Sequence, residues 1–180
     1  MALSKITNGG VAASGIPSGG IIQVQRTQFT GTNSVVLSAD TDAVFTDLTV
    51  NITPTSASSV IHLQAHIFGE HGDDASGSTW DHVLFFYRDS TKLAHPTAGS
   101  RTVGISMTTR TYHDENDAST PEIARYDYFD TPATTSQITY KCGIVTANAE
   151  TFYINRTAND SNTTGFERGI SFISATEIAG

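Results

Sequence analysis

The chain has 180 residues, 10 Lys and Arg against 18 Asp and Glu, and a formal net charge of −8. That length fits one domain, and the deficit of cations argues against a nucleic-acid-binding body, which needs clustered Lys and Arg to neutralise phosphate. Charged residues are only 16% of the chain, while 27 Thr and 18 Ser make up a quarter of it, a balance that favours strands, turns and a polar uncharged surface.

Residues 1–20 form a tract of small residues, among them Gly9, Gly10, Ala12, Ala13, Gly15, Gly19 and Gly20. Such a tract has too little apolar surface to fold alone. Leu3, Ile6, Val11 and Ile16 punctuate it. They make it a candidate docking arm that orders against a larger particle, with a floppy terminus as the alternative. Met1 to Gly20 lacks a basic start followed by an apolar core, so no secretory signal is expected. No apolar run approaches the roughly 20 residues that cross a bilayer.

From Ile21 the pattern alternates with period two, the mark of strands with one buried face. Ile22 and Val24 begin it. Leu48, Val50 and Ile52 follow, ended by Pro54, and then Ile61, Leu63, Ala65 and Ile67. Trp80 to Arg88 is almost continuously apolar and is expected to be a central strand covered on both faces. Val103, Ile105 and Met107 alternate next, then Ile123 to Phe129, then Ile138, Tyr140 and Cys142, then Phe152 and Ile154. Ile170 to Ile178 is the last run. Nine to eleven short strands without a helical period predict an all-β protein, a jelly-roll-like β-sandwich over 21–180 with an extended arm over 1–20. Two polar stretches, 69–79 and 108–121, are expected to be long loops at sheet ends.

Chemistry is sparsely signalled. His62 and His66 share one strand face with Gln64 between them; a solvated or intersubunit polar face is the expectation there, with a metal as the alternative. His71, Asp73 and Asp74 lie in the first polar loop, and His113, Asp114, Glu115 and Asp117 in the second. Neither loop has EF-hand spacing, so no metal is assigned. No nucleophile elbow, Walker loop or H-E-x-x-H motif is present. Cys142 is the only cysteine, placed where a thiol acts as a small apolar residue. No catalytic residue and no cofactor are expected. Tyr112, Tyr126, Tyr128 and Trp80 lie in or beside polar segments and could stack on sugar or on a partner. The candidate ligand-contact residues are therefore His71, Asp73, Asp74, Trp80, Tyr112 and His113.

Several segments are suggestive in combination. They are Met1-Ala2-Leu3-Ser4-Lys5-Ile6, Gly15-Ile16-Pro17-Ser18-Gly19-Gly20-Ile21-Ile22-Gln23-Val24, Val50-Asn51-Ile52-Thr53-Pro54, Tyr128-Phe129-Asp130-Thr131-Pro132 and Tyr153-Ile154-Asn155-Arg156. In that order they resemble small virion structural proteins of tailed phages, especially those of marine and cyanobacterial hosts. The resemblance implies a jelly-roll head like that of tumour-necrosis-factor and complement globular domains, assembled as a homotrimer on the virion surface. It implies a fibre, tip or capsid-decoration protein that docks on other virion proteins through its arm. The alternative is a receptor-binding head that attaches to host surface glycan through the two polar loops. A depolymerase, the third reading, has no supporting feature.

Overall fold

The structure, a computed structural model, describes residues 15–72, 82–108 and 119–180. Eleven strands build two antiparallel sheets: β1 (Ile21–Phe29), β2 (Asn33–Leu37), β3 (Ala43–Ile52), β4 (Val60–His71), β5 (Val83–Arg88), β6 (Thr91–Leu93), β7 (Ser106–Met107), β8 (Glu122–Asp130), β9 (Ile138–Val145), β10 (Glu150–Ile154) and β11 (Ser171–Ile178). The first sheet runs β1-β11-β4-β8. The twelve-residue β4 is its hub. It pairs with β8 along one edge, and with β11 and then β10 end to end along the other. β2 extends this sheet beyond β10. The second sheet runs β3-β9-β5-β6, with β7 beside β6 on the far edge of β5.

Leaving out β2, β7 and β10, the eight remaining strands stack in chain order 1-8-3-6 and 2-7-4-5. That is the jelly-roll arrangement, in which successive strands mostly cross between the two sheets. The sequence expectation of a jelly-roll-like sandwich therefore holds for the described residues. The arm residues 1–14 lie outside them.

Alternation explains which side chains meet. Ile61, Leu63, Ala65 and Ile67 of β4 face Phe45, Leu48, Val50 and Ile52 of β3 and Tyr140, Cys142 and Ile144 of β9 across one buried core. Each large apolar side chain in it contributes about 1.5–3 kcal/mol by leaving water. A register shift between Val44 and Thr49 in the β3–β9 ladder lets Phe45 and Leu48, three apart, both point inward. β5 is central, as its run of apolar residues predicts, and Leu84, Phe85 and Phe86 are all buried. Leu84 and Phe86 belong to the core, whereas Phe85 faces the other way and is covered by Lys92, whose Nζ lies 3.9 Å from its ring centroid. A Cβ at Gly143 would collide with the Phe85 ring, so only glycine fits opposite it.

The structure corrects four local expectations. β4 continues through Gly69, Glu70 and His71, which were expected in a loop. β2 was not anticipated. The Val103–Met107 alternation yields only the two-residue β7. Tyr126, expected to be accessible, is buried against Phe86 with ring centroids 4.6 Å apart.

Candidate functional site

Two surfaces carry side chains that folding geometry alone does not require: a buried cluster at one end of the sandwich and the open face of the first sheet.

The buried cluster begins at the end of β4. Cross-strand pairing sets His71 directly opposite Phe152 of β10, so both side chains point inward on one face. Glu150 lies two residues earlier on β10 and shares that face. His82 arrives from the second sheet, one residue before β5. The His71 and His82 rings stack with centroids 3.4 Å apart and planes 21° from parallel, and Phe152 meets His71 edge-on at 4.7 Å. His71 Nδ1 lies 3.5 Å from Glu150 Oε1, which is also the hydrogen-bond partner of His82 Nε2. All three side chains are at most 2% exposed. Burial alone would raise the Glu150 carboxyl, but the two imidazoles hold it down at about 2. Its second oxygen, Oε2, is buried and makes no hydrogen bond among the described residues.

Close approach of β4 and β10 makes this packing possible. A Cβ at Gly69 would collide with Tyr153 O and the Phe152 ring. One residue from the cluster, Glu70 turns to a different set of partners. Its Oε1 accepts from Thr120 N at 2.8 Å and Thr120 Oγ1 at 2.9 Å, and its Oε2 accepts from Ala158 N at 2.8 Å. Glu70 thereby pins the segments before β8 and after β10 to the same end.

The open face of the first sheet alternates aromatic and polar rows. Val24, Thr176, His62 and Phe129 form one row across β1, β11, β4 and β8, and Gln28, Phe172, His66 and Arg125 form another. His62 stacks on Phe129 at 4.2 Å, and His66 on Phe172 at 5.5 Å. Arg125 Nε donates to His66 Nδ1 at 2.9 Å. Partial burial, and then the guanidinium charge, lower the pKa of His66, so its ring is held neutral. Val24, Phe129, Ile123 and Ile170 are each about half exposed, and Phe172 is 39% exposed. His62 and His66 do share a face, as their spacing predicts.

Of the expected contact residues, Asp73, Asp74, Trp80, Tyr112 and His113 lie outside the described residues, as do Leu3, Ile6 and Val11 of the arm. His71 is described, but it is a buried strand residue and not a loop residue. Ile16 is half-buried in a shallow groove with Ile22, Ser59 and Ala179, next to the pairing of Gly19 N with Ala179 O at 2.8 Å. Cys142 is fully buried and its thiol is pushed up to about 12, so it stays protonated and unreactive. Asn155, which opens the glycosylation-type triplet Asn155-Arg156-Thr157, is a structural residue. Its Nδ2 donates to the carbonyls of Phe29 and Gly31, both at 2.8 Å, from a buried position. His82 and Glu150 escaped the sequence reading. The available signal was a histidine at the head of the apolar run Val83–Tyr87, where a polar ring has to be buried with a partner.

Compared with known proteins, the chain matches no protein-family model and no curated protein sequence.

Proposed function

We propose that the chain is a structural protein that acts by self-association, a trimeric component of a phage exterior tethered through residues 1–20. One observation carries the self-association. The sheet β1-β11-β4-β8 buries one face in the core and leaves Val24, Ile123, Phe129 and Phe172 in water on the other. Soluble monomers rarely leave large contiguous apolar surface uncovered, and aromatic residues and Arg, here Phe129, Phe172 and Arg125, are enriched at protein interfaces. The threefold symmetry, the virion location and the arm's docking role come from the resemblance of the sequence to virion proteins. A Thr- and Ser-rich surface with few charges suits an exterior particle protein. Glycan attachment is the second reading, and its residues Trp80 and Tyr112 lie outside the described ones.

Light scattering on the purified chain tests the proposal. The expected mass is that of three chains, both for the full chain and for a form lacking residues 1–20. The double variant Phe129→Asp, Phe172→Asp is expected to run as a folded monomer, with its far-ultraviolet circular dichroism unchanged. A monomeric wild type overturns the self-association, and a trimer unaffected by the double variant removes this face from the interface.

A further inference from the structure

We infer that His71, His82 and Glu150 form a binding site for a divalent transition metal ion, zinc first among them, that fastens the two sheets together at one end of the sandwich.

The three side chains each offer one ligand atom, and these atoms all lie within 4.8 Å of one another. Two donors held at about 2.0–2.1 Å from a tetrahedral zinc ion stand about 3.4 Å apart. The separation of His71 Nδ1 and Glu150 Oε1 is 3.5 Å. His71 and Glu150 are therefore already spaced as ligands of one small ion, and His82 Nε2, which is hydrogen-bonded to the same Oε1, has to draw back from it by a small side-chain movement to become the third.

The donor chemistry narrows the ion. Two imidazole nitrogens and one carboxylate oxygen suit zinc and its first-row neighbours. Calcium takes six to eight oxygens, and magnesium keeps an octahedron of oxygen and water, so neither fits a pair of buried imidazoles. Three protein donors leave the fourth tetrahedral position to water or to one further donor.

Electrostatics points the same way. A carboxylate that is 1% exposed has to be compensated. Glu70, its neighbour at this end, takes three hydrogen bonds from Thr120 and Ala158. Glu150 faces two imidazoles instead, and its buried Oε2 has no hydrogen bond among the described residues. A dication held by the two rings and Oε1 would supply that compensation.

The position of the site indicates what the ion does. His71 closes β4 and Glu150 opens β10, both in the first sheet, while His82 leads into β5 of the second. His82 O also accepts from Thr108 N at 3.3 Å. An ion here ties the sheets together beside Gly72, His82 and Thr108. Its role is that of a clasp, and the energy of binding becomes energy of folding.

The test uses the full chain, stripped with EDTA, dialysed into metal-free buffer and titrated calorimetrically with ZnCl2. The expected result is one zinc per chain and a Tm raised by about 5–10 °C at zinc 100-fold above its Kd. CoCl2 on the same protein is expected to give the visible absorption of a four-coordinate nitrogen–oxygen site. Glu150→Gln is expected to weaken zinc by about 100-fold or more, and His62→Gln with His66→Gln to leave it unchanged. If Glu150→Gln does not fold, His82→Gln and the wild-type cobalt spectrum decide. A wild type that takes up no zinc overturns the proposal. So does zinc uptake that survives Glu150→Gln but is lost with the two surface histidines.

Discussion

At one end of the sandwich Glu177 engages both oxygens. Oε1 accepts from Thr55 N at 2.6 Å, Thr55 Oγ1 at 2.8 Å and Ser59 Oγ at 2.7 Å, and Oε2 accepts from Gln23 Nε2 at 2.6 Å. At the other end Glu150 shares one oxygen between two histidines and leaves the other without a hydrogen bond among the described residues. Both side chains are buried on strands of the same sheet. Burial raises the pKa of Glu177, and its hydrogen bonds more than reverse that, so the carboxyl titrates below its ordinary 4.5. A carboxylate surrounded by neutral donors from β1 and from the β3–β4 connection is a structural staple. One surrounded by nitrogen ligands is a place for a cation. What separates the two is the identity of the partners, because the degree of burial is much the same.

The largest effect should come from breaking the staple. Glu177→Ala strands the buried Ser59 hydroxyl and removes the charged acceptor of Thr55 and Gln23, and is expected to cost about 3 kcal/mol in urea denaturation. A change below about 1 kcal/mol would mean that these hydrogen bonds are replaced by water. Acid gives the same contrast without truncation. The contribution of Glu177 is complete above pH 4.5 and is lost as pH falls through its lowered folded value. The stability gap between wild type and Glu177→Gln should therefore narrow below pH 4.5 and hold steady from pH 5 to 7.

Asp130 belongs to the same end and should matter somewhat less. It accepts from Arg88 Nη1 at 2.9 Å and from the buried Tyr140 hydroxyl at 2.7 Å, joining β8 to β5 and β9. Arg88 is partly exposed and can turn to water, whereas Tyr140 cannot. Asp130→Ala is expected to cost about 2 kcal/mol, most of it from the stranded hydroxyl, and Asp130→Ala with Tyr140→Phe should recover part of that.

The smallest effect sharpens the comparison from the other side. In EDTA-treated protein Glu150→Gln keeps the shape and an oxygen acceptor for His82 but turns a charge-assisted hydrogen bond into a neutral one, and is expected to cost about 1–2 kcal/mol. A loss as large as that of Glu177→Ala would make Glu150 a staple of the same kind.

Much of this was legible in the residues. Ile61, Leu63, Ala65 and Ile67 announce β4, and the run Leu84–Phe86 announces a strand covered on both faces, because burial imposes period two or continuous apolarity. Asn33–Leu37 was not legible. Its five residues pair only with β10, four of them are not buried, and Val36 is 78% exposed. The end of β4 was hidden for a different reason. Gly69-Glu70-His71-Gly72 has the composition of a turn, and pairing with β10, joined at Gly69 by β8, makes its first three residues strand. The candidate metal site combines residues 71, 82 and 150. Local pattern carries no information about contacts that far apart in the chain, so the cluster exists only in the folded register.

The place of β11 in the sheet has a consequence for the order of events during synthesis. β11 lies between β1 and β4, and its partner β1 begins about 150 residues earlier, at Ile21. Until Ser171–Ile178 has left the ribosome, β1 has no neighbour and β4 shows an open edge. Low-barrier local hairpins such as β5–β6 can form early, but closure of the sheet waits for its most distant pairing. The outer face of β1-β11-β4-β8 is consequently completed last. An interface built on that face would be presented only by chains that have been read through to β11.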